Sequence, residues 1–250
     1  MSIATPFLIT RPAGKADNLL ASLDEQGIAY SYQPLITTQQ VRLKAKDISL
    51  LQQAELIIFV SVSAVNALQQ QLKPEQLTGH LLAVGSTTAT LLQRWTGREV
   101  IVPHDQRSEG LLALPQLQHV KNKQVAVVRG NNGRELIKQQ LQARGANVKY
   151  VQSYIRVPLA LEGNQLWQLW QQQQVRCIVA TSNEILQQLF ALIPAAGQAW
   201  LQQRHWVLVS PRMQEQALAL GIALSHISLA ENANDHALLQ QIIQLKKEMV

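Results

Sequence analysis

The sequence predicts an α/β protein built from parallel sheets, and two observations support this prediction. Short β-branched, apolar segments alternate with longer segments of helical periodicity along the whole chain. Each strand candidate is apolar on both faces, which is typical of a strand buried between two layers of helices. The expected strands are Phe7–Thr10, Leu56–Val60, Leu81–Val84, Val125–Val128, Cys177–Ala180 and Trp206–Val209.

An internal repeat organises these strands. Residues 7–28 align with 125–146, and in this alignment Arg11 faces Arg129 while Gly27 faces Gly145. Two further alignments follow in the same order, namely 56–72 with 177–192 and, more loosely, 81–97 with 206–221. Three strand–turn–helix units therefore occur twice, which indicates either a duplication or two similar Rossmann-like units that align by chance.

Two segments rich in β-forming residues, Tyr30–Thr38 and Val148–Leu159, lie between the repeated units. Each follows a strand–helix unit, so both are natural linkers between domains. If the two segments pair as a β-ladder, the chain crosses to a second domain near Thr37 and returns near Val157.

This crossing defines the expected domain boundaries. The first domain is discontinuous, 1–37 plus 158–250, and it surrounds a continuous second domain at 38–157. A single cut near Lys121 is the alternative, and periodicity alone does not choose between the two arrangements.

Composition and charge exclude several classes of protein. A hydrophobic content of 47% excludes a disordered chain, and the single cysteine, Cys177, excludes a disulfide framework or a cysteine-based metal cluster. The longest apolar run, near Leu56–Val65, is far shorter than a spanning helix, so we expect no membrane. The amino terminus lacks the pattern of a signal peptide, so we expect a reducing cytoplasm. The net charge of +6 comes without a basic stripe or interleaved aromatic residues, which disfavours nucleic acid. It fits a basic cleft for a small polyanion as well as an ordinary basic surface.

Small, hydroxylic and basic residues follow each expected strand. Strand-end turns of parallel sheets expose helix N-termini, whose N–H groups favour anions. Ordinary helix capping explains any one turn, but all of them together would line the carboxyl edges of the sheets, where open α/β folds bind ligands. The turns are Thr10–Pro12, Ser61–Ser63, Gly85–Thr88, Arg129–Gly133, Thr181–Asn183 and Ser210–Arg212.

Motifs for cofactors are missing from the sequence. No GxGxxG follows the first strand and no Walker motif occurs, so the usual support for dinucleotide or nucleoside triphosphate binding is absent. The six histidines form no i, i+4 pair, which disfavours a metal site. Among the aromatic residues, Tyr154 lies in the second linker, where few core contacts are expected. We expect it either to face the cleft between the domains or to have a structural role.

The ordered set of motifs resembles the uroporphyrinogen-III synthase family. The resemblance covers nearly the whole chain, weakens after Ala180, and rests on the combination rather than on any one piece. Its segments are ITRPAGKADNLLASLDEQGI at 9–28, the Pro-Leu-Ile at 34–36, IIFVSVSAVNAL at 57–68, AVGSTTATLL at 83–92, VPHDQRSEGLL at 102–112 and VVRGNNGRELIKQQLQARGANVKYVQSYIR at 127–156.

The resemblance implies two Rossmann-like α/β domains joined by a two-stranded β-ladder, which is the crossing arrangement. It also implies cyclisation of hydroxymethylbilane to uroporphyrinogen III with loss of water and inversion of ring D, without cofactor or metal. No sequence feature demands a partner chain, so we expect a monomer. Tyr154 matches the family's tyrosine in the return linker, whose phenol assists departure of the hydroxyl. The residues expected to bind substrate carboxylates are Arg11, Ser61, Ser63, Thr88, Arg129, Asn131, Thr181 and Ser182.

The sequence departs from the family pattern at two turns. Thr181-Ser182-Asn183 stands where family members often have a Thr-Ser-Pro turn, and Ser210–Met213 lacks the Gly and Thr of its counterpart at 85–88. The resemblance therefore supports contacts from the carboxyl-terminal half less strongly than the others. A two-domain hinge protein that closes on a small anion and an inactive paralogue are the alternative interpretations.

Overall fold

The computed structural model describes residues 5–131, 133 and 135–248. These residues form twelve strands: β1 (Phe7–Ile9), β2 (Tyr30–Tyr32), β3 (Ile36–Gln40), β4 (Leu56–Phe59), β5 (His80–Ala83), β6 (Val100–Ile101), β7 (Gln124–Arg129), β8 (Asn147–Gln152), β9 (Tyr154–Pro158), β10 (Cys177–Val179), β11 (His205–Leu208) and β12 (Ile227–Leu229).

The same residues form eleven α-helices. No helix in the described part of the chain is long and apolar enough to cross a membrane. The helices are α1 (Asp17–Glu25), α2 (Ala45–Gln53), α3 (Val62–Gln69), α4 (Ser86–Thr96), α5 (Ser108–Ala113), α6 (Leu136–Ala143), α7 (Gly163–Gln172), α8 (Asn183–Leu192), α9 (Ala195–Gln202), α10 (Pro211–Ala219) and α11 (Asp235–Glu248).

The strands form two five-stranded sheets and one two-stranded sheet. The first large sheet has the order β12-β11-β10-β1-β2 and the second has the order β6-β5-β4-β7-β8. Neighbouring strands in both are parallel, for example with Phe7 opposite Cys177 and Leu56 opposite Val125. The predicted fold class, α/β with parallel sheets and a small two-stranded ladder, is confirmed.

Contacts within the chain separate it into two compact units. The first unit contains the chain up to Thr37 and again from Pro158, and the second unit is Thr38–Val157. β3 and β9, where the chain passes from one unit to the other, form the two-stranded sheet. A backbone hydrogen bond flanks this sheet at either end. The N–H of Leu159 donates to the carbonyl of Leu35, and the N–H of Val41 donates to the carbonyl of Ser153, both at 2.9 Å. The pairing is therefore antiparallel.

The two large sheets have the same topology, and the aligned repeats occupy equivalent places in them. When the two strand orders are written one above the other, β1 takes the position of β7, β10 that of β4, and β11 that of β5. The two repeats therefore exchange strands: β1 of the first repeat lies in the sheet with β10 and β11 of the second, and β7 of the second lies in the sheet with β4 and β5 of the first. Each set of three aligned segments gives one strand to one sheet and two to the other; with the edge strands β2, β6, β8 and β12 included, each half of the chain gives two and three.

Each predicted linker also contains a strand of a large sheet, and two further strands, β6 and β12, were not predicted. The first half of each linker segment is a sheet strand, β2 or β8, and only the second half belongs to the ladder. β6 and β12 lie at the edges of their sheets and have two and three residues, too few for a pattern of alternation to appear. The prediction of six strands in the sheets was therefore too low.

Alternation along the central strands gives each sheet two apolar faces. In β4, Ile57 and Phe59 pack on one side of the sheet, while Leu56 and Ile58 pack on the other. All four side chains are buried, as expected for a sheet between two layers of helices.

The thiol of Cys177 is expected to be unreactive in the folded protein. Cys177 begins β10 and is fully buried, and this burial raises the pKa of its thiol. The thiolate, which is the reactive form, is therefore scarce at neutral pH. A disulfide reagent should modify no thiol in native buffer and one per chain in guanidinium. Fast modification in native buffer would contradict the buried position.

Candidate functional site

The carboxyl edge of the sheet in the second unit carries three of the predicted turns. These turns follow β4, β5 and β7, and because the strands are parallel, all three lie at the same edge. Ser61 is the N-cap of α3 and Gly85 is the N-cap of α4, so two helix N-termini lie at this edge. The N–H of Ala64 is capped by Ser61, and the N–H of Ser86 donates to the side chain of Gln106 at 2.9 Å.

A cavity of about 210 Å³ lies at this edge, within the second unit. Its apolar walls come from the sheet and from α6, while two phenols, two guanidinium groups and two hydroxyls supply polar groups. The lining residues are Val60, Ser61, Val84, Ser108, Val127, Arg129, Gly133, Ile137, Tyr150, Tyr154 and Arg156. This mixture suits a ligand with an apolar body and negatively charged substituents.

Tyr154 is placed by packing, contrary to the expectation of few core contacts. It begins β9, only 4% of it is exposed, and its ring belongs to a core cluster of the second unit. Its ring also approaches the backbone at Gly130 so closely that a Cβ there would lie 2.6 Å from Cε2. Tyr154 nevertheless lines the cavity, and its hydroxyl lies 3.1 Å from Oγ of Ser61, another lining residue, so packing holds a polar group in a fixed position.

Ser61 connects the helix cap to that phenol. Its Oγ accepts a hydrogen bond from the backbone N–H of Ala64 at 3.2 Å, and it lies 3.1 Å from the hydroxyl of Tyr154. Either hydroxyl can donate in this pair, because the oxygen of Ser61 keeps a second lone pair beside the one that accepts from Ala64.

Arg129 is a buried cation at the end of β7. Its Nη1 forms an ion pair with Oε1 of Glu135 at 2.8 Å, and its Cζ lies 4.4 Å from the centroid of the Tyr150 ring. Its Nε–H donates to the carbonyl of Gly130 at 3.3 Å. The hydroxyl of Tyr150 donates to the second oxygen of Glu135 at 2.8 Å.

The charges of this group fit those contacts. Burial, and then the hydrogen bond to Glu135, raises the pKa of Tyr150 to about 12. The hydrogen bond from Tyr150, and then the bond from Arg129, lowers the pKa of Glu135. At neutral pH the phenol is therefore a donor and the carboxylate is ionised.

The other residues predicted in this unit lie outside the described cavity lining. Ser63 is in the first turn of α3, and Thr88 is buried in the first turn of α4. Asn131 bonds the backbone of Arg156 through both side-chain atoms, accepting from its N–H at 2.9 Å. The side chain of Asn131 thus fixes the turn after β7 against β9.

In the first unit, the predicted residues also have structural partners. Arg11 forms an ion pair with Asp235 at the start of α11. Ser182 is the N-cap of α8 and accepts from the N–H of Ile185 at 3.2 Å, which is ordinary capping. Thr181 lies in the turn between β10 and this cap.

Sequence reasoning missed two residues of the cavity lining whose signal was present, Tyr150 and Arg156, and their neighbour Glu135, whose signal was not. Tyr150 stands in β8, a strand that was assigned to the linker. Arg156 lies two residues after Tyr154 in β9, and so on the same face of the strand. Glu135 precedes α6, where no pattern distinguishes it from a solvated acid.

No group of three His, Cys, Asp or Glu residues that could hold a metal occurs within 5–131, 133 and 135–248. The fold and cavity define a class, a two-unit α/β protein whose candidate site offers cations and hydroxyls to an anionic ligand at a sheet's carboxyl edge.

Comparison with known proteins narrows this class. A family model described as uroporphyrinogen-III synthase HemD matches residues 17–240. Uroporphyrinogen-III synthase of Escherichia coli (strain K12) is 35% identical over 245 residues, which cover 94% of this chain and 99% of that relative. The chain therefore belongs to the uroporphyrinogen-III synthase family, as the resemblance predicted. The family's activity is the cyclisation of hydroxymethylbilane in haem biosynthesis.

Solved structures have the same fold at lower sequence identity. Uroporphyrinogen-III synthetase from Helicobacter pylori 26695 has a TM-score of 0.65 at 15% identity and covers 98% of this chain and 100% of its own. A mutant uroporphyrinogen III synthase from the extreme thermophile Thermus thermophilus has a TM-score of 0.62 at 18% identity, covering 96% and 99%. These likenesses show that the fold is that of the family's solved structures.

Proposed function

We propose that this chain performs the family's cyclisation with Tyr154 as general acid and with the cavity of the second unit holding part of the substrate. The observation that carries this proposal is the buried phenol of Tyr154, which lines the cavity and lies 3.1 Å from the hydroxyl of Ser61. Packing fixes the phenol. In the proposal Ser61 is the donor in their hydrogen bond, so the proton of Tyr154 can move toward a ligand.

The proposed first step is loss of water from ring A of hydroxymethylbilane. The pyrrole nitrogen donates its electron pair, the carbon–oxygen bond breaks, and the proton of Tyr154 moves to the leaving hydroxyl, which departs as water. The hydroxyl of Ser61 then donates to the phenolate oxygen. A second proton transfer, from the substrate, restores the phenol.

The second part of the reaction is one of orientation. Loss of water leaves ring A as an azafulvene cation, and the substituted carbon of ring D attacks its exocyclic carbon. The resulting spiro intermediate fragments and recloses with ring D inverted. Closure without inversion gives the type I isomer and needs no enzyme. The protein's contribution is therefore to hold the two ends of the chain in one geometry.

Carboxylate binding supplies that geometry in the proposal. The substrate carries an acetate and a propionate on each ring, and Arg129 with its neighbour Arg156 gives the cavity two cations. The side chains of Ser61, Ser182 and Asn131 are engaged in local bonds, so we assign part of the carboxylate binding to backbone N–H groups at the helix starts. Arg11, Ser63, Thr88 and Thr181 complete the proposed set.

The function is tested by incubating the protein with freshly made hydroxymethylbilane, oxidising the products and resolving the isomers by chromatography. The proposal expects the type III isomer to dominate, in proportion to the amount of protein. A product mixture that contains only the type I isomer would refute it.

Replacement of Ser61 by alanine tests the link to Tyr154. We expect S61A to lose about 1 kcal/mol of stability, because the cap of α3 is lost, and also to lower kcat several-fold. S210A is the matched control, since Ser210 caps α10 by the same bond to Met213 at 3.3 Å. It should lose similar stability with a smaller change in kcat. Equal effects on kcat would reduce Ser61 to a cap.

We also propose that the protein works as a monomer in a reducing cytoplasm, without nucleic acid or membrane. We further propose that its two domains are 1–37 plus 158–250 and 38–157. The separation of contacts at Thr37 and Pro158 supports these boundaries. Light scattering on the purified chain tests the oligomeric state, and a mass of about twice 27.9 kDa would refute the monomer.

A further inference from the structure

Glu135 places a single carboxylate between two donors of the cavity. Its Oε1 accepts from Nη1 of Arg129 and its Oε2 accepts from the hydroxyl of Tyr150, both at 2.8 Å. One guanidinium and one phenol thus hold one carboxylate through its two separate oxygens. This is the kind of arrangement that would bind an acetate or propionate group of a ligand.

The two donors are fixed, whereas the acceptor is exposed. The side chain of Arg129 is 8% exposed and stacks on the Tyr150 ring, while that of Glu135 is 51% exposed. Arg129 and Tyr150 stand on the neighbouring central and edge strands β7 and β8, and Glu135 stands in the turn before α6. The side chain of Glu135 can therefore leave into solvent while the two donors remain in place.

We propose that Arg129 and Tyr150 form a carboxylate subsite of the cavity, and that Glu135 occupies this subsite in the unliganded protein and is displaced by a substrate carboxylate. The inference rests on the proposed function, because the ligand is taken to be a polycarboxylate. Exchange of one carboxylate for another keeps the buried guanidinium paired at all times. A buried cation without a counter-ion would be strongly destabilising.

The first test measures affinity with an unreactive probe, uroporphyrin III, which carries eight carboxylates. Since Glu135→Gln weakens the internal competitor, it should bind the probe about two- to fivefold more tightly, the factor that corresponds to an exposed ion pair. Its KM for hydroxymethylbilane should fall by a similar factor. Because Tyr150 also donates to Glu135 in the free protein, Tyr150→Phe alone removes a bond from both states; added to Glu135→Gln, it should weaken binding of the probe several-fold relative to Glu135→Gln alone.

Glu75→Gln is the matched control. It removes the same charge from an exposed residue of the same unit, in the turn that precedes β5 at the amino edge of the sheet. Its affinity for uroporphyrin III should match that of the wild type. If Glu135→Gln binds the probe no more tightly than Glu75→Gln, Glu135 only positions Arg129 and the subsite proposal fails.

The two proposals fail in different ways. If the wild-type protein forms only the type I isomer, the proposed function is wrong, and binding of uroporphyrin III still decides the subsite. If the type III isomer forms and Glu135→Gln shows no gain in affinity, the subsite alone is wrong. Thermal unfolding of each variant excludes a loss of folding as the cause of weaker binding.

Discussion

Replacement of Tyr154 by phenylalanine is expected to lower the rate of formation of the type III isomer roughly 10–100-fold. The ring would keep its place in the core of the second unit, because only the hydroxyl is removed. Loss of that hydroxyl removes the partner of Ser61 and the group that we propose as proton donor for the leaving water. The azafulvene cation of ring A also forms without a proton donor, so the rate should fall without reaching zero.

The measurement is the initial rate and the ratio of isomers, with thermal unfolding in parallel. Tyr30→Phe is the control, because it removes a phenol in β2 of the other unit whose hydroxyl contacts Asp24. A slow Y154F enzyme should release a larger share of the type I isomer, since unassisted closure competes. An unchanged rate in Y154F would reduce Tyr154 to a packing residue.

Replacement of Gly130 by alanine is expected to affect both stability and activity. A Cβ at this position would lie 2.6 Å from Cε2 and 2.7 Å from Cζ of Tyr154, closer than packed atoms allow. The ring is buried, so either it or the turn after β7 must shift, at a cost of about 1–3 kcal/mol. A displaced phenol no longer meets its target, and a misplacement near 1 Å can lower the rate by about 100-fold.

Gly85→Ala is the matched control, at a strand-end turn of the same unit. There the added Cβ meets only the flexible end of Gln106, at 3.3 Å, and the backbone is extended with φ of −133°. We expect a change in stability within about 1 kcal/mol. If urea unfolding and initial rates of G130A resemble those of G85A, the close contact at Tyr154 has no functional weight.

Much of the fold was predictable because the central strands carry strong patterns. β4 and β7 are apolar on both faces, and the helices that follow them have clear periodicity. The edge strands β6 and β12 were not predictable, because two or three partly exposed residues give no alternation. β2 and β8 were recognised as β-rich, but a pattern in one segment does not indicate which sheet that segment joins.

The candidate site was predictable only as a set of turns. Tyr154, Ser61 and Arg129 were selected in the sequence and line one cavity in the structure. Their partners could not be selected, because the ion pair of Arg129 with Glu135 and the stacking on Tyr150 depend on how β7, β8 and α6 pack. Capping by Ser182 and the bonds of Asn131 to β9 likewise depend on backbone geometry that composition does not carry.

The exchange of strands between the repeats has a consequence for synthesis on the ribosome. β1 pairs with β10, so the first sheet strand made must wait until Cys177–Val179 has emerged before its inner edge is covered. All five strands of the other sheet lie between Leu56 and Gln152 and are complete earlier. A nascent chain of which about 160 residues have emerged from the ribosome would thus carry one finished sheet and an amino-terminal hydrophobic strand that still lacks β10, and this exposed strand could be bound by a chaperone.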